Sequence, residues 1–149
     1  MTGSDVTSST HMVDAERLLT LLGRVAARLQ VLTTYAEADP EELLHDEVRL
    51  GHLKYTFQTA LEACIDAAQH VVADRGLGTP TSNADAFRLL ARSGLVEPSL
   101  AASMAGSVGF RNVLVHGYAE VDDRLVIEHL AHLVDLRAYV QAMTALLND

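Results

Sequence analysis

Cysteine occurs once in this 149-residue chain, at Cys64, and tryptophan is missing altogether. A single thiol excludes an internal disulfide framework and any multi-cysteine zinc site. Cys64 also sits in an apolar helical stretch, which points to a buried, inert thiol rather than a nucleophile. Aromatic residues make up only 5% of the chain, so an aliphatic core is expected. Three prolines and nine glycines are few interruptions for this length. No apolar run approaches the ~18–20 residues of a membrane span, and no signal-peptide pattern opens the sequence. A cytoplasmic protein without a membrane partner is the resulting expectation. Positive charge is scarce as well: 11 Lys and Arg stand against 20 Asp and Glu, a formal net charge of −9. That balance argues against nonspecific nucleic-acid binding, which depends on clustered cations.

What is abundant is helix-forming. Hydrophobic residues are 49% of the chain and charged residues 21%, the mixture of a globular protein large enough for one core. Alanine and leucine, which lose little freedom on entering a helix, dominate. Residues 1–12 are small and polar, and Thr10-His11-Met12 resembles a cloning junction, so this stretch is read as a disordered or vector-derived tail. Residues 13–149 are read as a single domain.

Within that domain Leu18, Leu22, Val25, Leu29 and Leu32 recur at helical steps. Asp39-Pro40-Glu41-Glu42 then supplies a cap, a first-turn proline and first-turn acids. A long periodic run follows to Asp74, carrying Leu50, Leu53, Phe57, Leu61, Cys64, Ile65, Ala68 and Val72, with a break expected near His45 to Arg49. The segment from Gly76 to Ser82 is the clearest loop. Asn83 can cap a short helix that Gly94 ends, and Pro98 opens another that Gly117 is placed to terminate. A last amphipathic helix is built on Val126, Leu130, Leu133, Val140, Met143 and Leu147. The expectation is an all-α, up-and-down bundle of about five helices with no strand. Long amphipathic helices in a small bundle leave an apolar face that a homodimer can cover.

One segment concentrates hydrogen-bonding side chains among valine, leucine and glycine: Arg111-Asn112-Val113-Leu114-Val115-His116-Gly117-Tyr118. An Arg and a His near a helix end can simply complement its dipole. Here Asn112 and His116 are also four apart, on one helical face, and Tyr118 follows two residues later. Polar groups in an apolar stripe require partners, and a dimer seam or a reaction site can supply them.

The pattern Arg-Asn-x-x-x-His resembles the signature of HEPN ribonucleases, and its x-Tyr extension resembles the HepT branch of that superfamily. The stretches from Tyr55 to His70 and from Ala84 to Leu90 are similar to further HepT blocks in the same order. The resemblance implies an HEPN-like bundle, dimeric, cleaving RNA as the toxin of a toxin–antitoxin pair. It implies Arg111 and His116 as the catalytic pair, with Asn112 in support and no metal or cofactor. A histidine titrating near neutrality moves protons, and an arginine presents a permanently charged fork to phosphate. It further implies that a minimal nucleotidyltransferase antitoxin of the MntA kind transfers AMP from ATP to Tyr118, adding bulk and negative charge beside the site. On a regular helix Arg111 and His116 fall roughly 140° apart, so a two-chain site or a distorted helix end is expected.

The net acidity leaves room for a second reading, a noncatalytic HEPN subunit that binds a nucleotidyltransferase as its scaffold or substrate. Other constellations carry less. His129 and His132 have metal-ligand spacing without a third ligand, and are expected to be surface histidines. Glu62 and Asp66 share a helical face, and either reach the cleft or form a solvated edge. The Gly76–Gly78 loop has neither the strand nor the Lys-Ser/Thr of a phosphate loop.

Overall fold

The computed structural model describes the backbone over residues 2–117 and 122–148, with side chains described from residue 14 onward. Seven α-helices and two 3-10 turns, with no strand, make up the described residues. The helices are α1 (Thr2–Ala36), α2 (Pro40–Leu44), α3 (Glu47–Asp74), α4 (Asn83–Arg92), α5 (Pro98–His116), α6 (Asp123–Glu128) and α7 (Leu133–Ala145). The all-helical expectation is met, and the break expected near His45 lies between α2 and α3.

Several helix starts have a chemical cause. Asp39 accepts from the Glu41 N–H with Pro40 in the first turn, Asp46 accepts from the Arg49 N–H, and Asp122 accepts from the Arg124 N–H. Asp46 is doubly committed, because its other oxygen takes the Arg49 Nε–H at 2.7 Å. These bonds, the Arg49 backbone N–H first, hold its carboxyl below the usual carboxylate range. At α4 the sequence reading was one residue late: Ser82 is the cap, its hydroxyl accepting from the Asp85 N–H, and Asn83 is the first helical residue.

α3 is the axle of the bundle. Its buried positions include Leu50, Leu53, Phe57, Ala60, Leu61, Cys64, Ile65, Ala67, Ala68, Val71 and Val72, which together go most of the way round the helix. α1 runs antiparallel along it. His70 Nε2 meets the Asp14 carbonyl at 2.8 Å near one end, and Tyr35 Oη meets His52 Nδ1 at 2.7 Å near the other. Phe110 of α5 meets Phe57 edge to face, with ring centroids 5.3 Å apart.

The last element departs from expectation. It is broken into α6, a 3-10 turn at His129–His132, and α7. The turn shifts the phase of the apolar stripe, so Leu136 and Tyr139 are buried while Val140 and Leu147 are only partly so. The core is also less purely aliphatic than composition suggests. Tyr139 is fully enclosed against Phe87, and its hydroxyl donates to the Cys64 carbonyl at 2.9 Å. Burial pushes the Tyr139 hydroxyl well above its ordinary titration range and pushes the Cys64 thiol up as well. Tyr139→Phe is therefore expected to cost about 1 kcal/mol in chemical denaturation. The Cys64 thiol should ignore a thiol reagent at pH 8 until denaturant is added.

Candidate functional site

Proline in its first turn starts α5, and the helix turns Ala101, Met104, Val108 and Leu114 into the core. Arg111 lies seven residues beyond Met104 and three beyond Val108, so it falls on the edge of that same stripe. It is consequently drawn against α3, with its side chain only 25% exposed. Its Nη1 donates to Asn112 Oδ1 at 3.1 Å, and its Nη2 stands 3.5 Å from Glu62 Oε1. Glu62 is itself held by Gln58, whose Nε2 donates to the same oxygen at 3.1 Å. Gln58, Glu62, Arg111 and Asn112 thus form one chain of polar contacts across the α3–α5 seam.

That chain half-satisfies the guanidinium. The Arg111 Nε is buried without a hydrogen-bond partner among the described residues. A buried donor left unpaired carries a desolvation penalty that an added acceptor, such as a phosphoryl oxygen, would relieve. Glu62 therefore reaches the site, the outcome that its spacing alone left open. Asp66, one turn on, stays exposed and lines a groove of about 450 Å³ between α1 and α3 with Arg24, Arg28, Thr59 and Glu62.

His116 is the last residue of α5 and is exposed, rotated away from the half-buried Arg111. The helix stops there because Gly117 takes a left-handed conformation (φ 45°, ψ 14°) while its N–H still caps the Val113 carbonyl at 3.1 Å. Tyr118 lies outside the described residues. On the far side, α6 is anchored by Lys54–Asp123 at 2.6 Å and Arg124–Glu41 at 3.4 Å. Two exposed apolar residues, Val113 and Val115, lie within the motif between Arg111 and His116.

Of the histidines of the last segment, His132 is exposed as expected, whereas His129 is not simply solvated. His129 stacks on Phe110, with centroids 3.7 Å apart, and its ring is half-buried. No cluster of metal-ligating side chains forms among the described residues, and no described helix is long and apolar enough to cross a membrane.

Residues 24–143 match the family described as Ribonuclease HepT-like. The chain belongs to this family. Among its relatives is the mRNA nuclease HepT of Shewanella oneidensis, 36% identical over 89 residues, which are 59% of this chain and 67% of the relative. The tRNA nuclease HepT of Aphanizomenon flos-aquae is 28% identical over 116 residues, 74% of each chain. Among solved structures, the tri-AMPylated Shewanella oneidensis HEPN toxin in complex with its MNT antitoxin superposes with a TM-score of 0.79 at 26% identity. That match covers 87% of this chain and 97% of the toxin. The HEPN-like bundle and the ribonuclease class expected from the sequence are both borne out at the level of the HepT-like family.

The helix stop is the site's most exposed weakness. Among the described residues a Cβ at Gly117 would meet nothing nearer than the Leu114 carbonyl oxygen at 3.7 Å, so within them space is not the obstacle. The left-handed backbone is. Gly117→Ala is expected to lose about 1 kcal/mol of stability by thermal melting, since a side chain raises the energy of that conformation by this order.

Proposed function

We propose that this chain is an endoribonuclease toxin that cleaves RNA through Arg111 and His116 without requiring a metal. The observation that carries the reading is the motif helix. A half-buried arginine with an unsatisfied donor sits five residues before an exposed histidine at a helix end. In this reading the RNA 2′-hydroxyl attacks the adjacent phosphorus. The O2′–P bond forms, the P–O5′ bond breaks, one proton leaves O2′ and one reaches O5′. His116 carries a proton in that exchange, and Arg111 stabilises charge on the phosphoryl oxygens. Asn112 fixes the guanidinium plane through its 3.1 Å contact.

The angular separation of the two groups supports a site completed by a second copy, with Val113 and Val115 at the seam of a homodimer. The RNA substrate and a cytoplasmic setting belong to the same reading. Purified protein should cut RNA with EDTA present, and His116→Ala should lower the rate by at least about a hundredfold. Undiminished cutting by that variant would reject the assignment.

Silencing is proposed to act at Tyr118. A nucleotidyltransferase antitoxin would bring ATP, the tyrosine oxygen would attack the α-phosphorus, and pyrophosphate would leave. The AMP would then stand two residues from His116, its charge opposing an incoming RNA phosphate. The AMPylated state of the Shewanella oneidensis toxin supports this reading. Incubation with such a partner and ATP should raise the intact mass of the wild type by one or more AMP units. Tyr118→Phe should stay at its original mass and remain an active nuclease.

A further inference from the structure

Five of the eleven Lys and Arg side chains of this acidic chain are spent in ion pairs with its own carboxylates. Arg49 pairs with Asp46, Lys54 with Asp123, Arg92 with Asp85, Arg111 with Glu62 and Arg124 with Glu41. Among the described residues Arg88 and Arg137 have no carboxylate within ion-pair distance, and neither do Arg17, Arg24 and Arg28, which are grouped on one helix. They stand at steps of seven and four on α1, hence within about 40° of one another round the helix, in a row roughly 16 Å long.

The row is tied to the motif. Arg24 and Arg28 line the groove whose α3 wall is Thr59, Glu62 and Asp66, and Glu62 is the residue that touches Arg111. At the groove's end the Arg28 guanidinium lies over the ring of Tyr55, 5.7 Å from its centroid, and that ring is 54% exposed. Of the two carboxylates in the groove, Glu62 is engaged by Gln58 and Arg111, which leaves Asp66 against two arginines.

We propose that Arg24 and Arg28, with Tyr55, form a subsite for single-stranded RNA that leads the strand into the Arg111 site. The arginines take backbone phosphates and the tyrosine offers a face for one base. Positive grooves with stacking aromatics bind single strands without sequence preference. The subsite lies along α1 and α3, apart from the Val113–Val115 seam given to a second copy. The inference rests on the ribonuclease reading, and it gives an acidic protein a local place to hold an anionic substrate.

The test uses the full-length chain carrying His116→Ala, so that RNA stays uncut, and a fluorescein-labelled 12-mer of uridine read by anisotropy across salt concentrations. The double variant Arg24→Gln/Arg28→Gln, which keeps long side chains, is compared with Arg24→Lys/Arg28→Lys. The glutamine form should bind about tenfold more weakly. Its slope of log Kd against log salt should fall by about 1.4, the release expected for two phosphate contacts on a single strand. The lysine form should keep the slope. Tyr55→Ala should weaken binding without changing it. In the His116-intact background the glutamine form should raise KM far more than it lowers kcat.

Equal affinity and slope for the glutamine form, with His116-dependent cleavage intact, would overturn the subsite alone. A glutamine form that changes sedimentation mass would overturn it too, by assigning the arginines to a protein interface. Absence of RNA binding and cleavage in every form would overturn the subsite together with the ribonuclease reading.

Discussion

Everything in this fold is arranged around the burial of α3. Once Leu53, Phe57, Ala60, Cys64, Ala67 and Ala68 are turned inward, α1, α4 and α5 must pack against them, and α7 reaches them through Tyr139. The alanines keep the axle thin, so the flanking helices can approach closely, as interaxial spacing follows side-chain size at the contact. Tyr139 shows how tight the result is, a full aromatic side chain whose only polar atom ends on the Cys64 carbonyl.

Enclosure on most sides leaves α3 one outward strip. Tyr55, Thr59, Glu62 and Asp66 follow one another at steps of four, three and four, which is a single face of a helix. α1 borders that strip on one edge and α5 on the other. The polar network of Arg111 is therefore a consequence of core packing as much as of its own motif. Arg111 sits on the inner stripe of α5 and can only turn toward the one part of α3 that is not apolar.

Long periodic helices were legible because repetition averages over local detail. The stripes of α1 and α3 needed no structure, and Pro40 and Pro98 marked starts that no other residue type marks as well. Short-range competition was not legible. Ser82 and Asn83 are both good caps, and which one wins depends on where the Gly76–Ser82 loop delivers the chain. The break at His129–His132 contains neither Gly nor Pro, and stacking of His129 on Phe110 accompanies it, a contact between residues nineteen apart. Periodicity carried straight through that turn, and so picked Val140 and missed Tyr139. At the site, the motif named Arg111, Asn112 and His116 from sequence alone, whereas Glu62 needed the α3–α5 crossing to become their neighbour.

Net charge was the feature most apt to mislead. A sum of −9 says nothing about where cations are left over, because several of this chain's acids have structural duties. Asp46 and Asp122 cap helices, Asp123 and Glu41 fasten α6 to α3 and α2, and Asp85 caps the loop at Thr81 while facing Arg92. Each of these uses a carboxylate where the backbone or a neighbouring cation already demands one. α1 makes no such demands along the face of Arg17, Arg24 and Arg28, since its N–H groups are satisfied within the helix and the acids across the groove, Glu62 and Asp66, form no ion pair with these arginines. An acidic chain can in this way carry a basic edge, and the edge is found by tracing which charges the fold has already consumed, not by adding them.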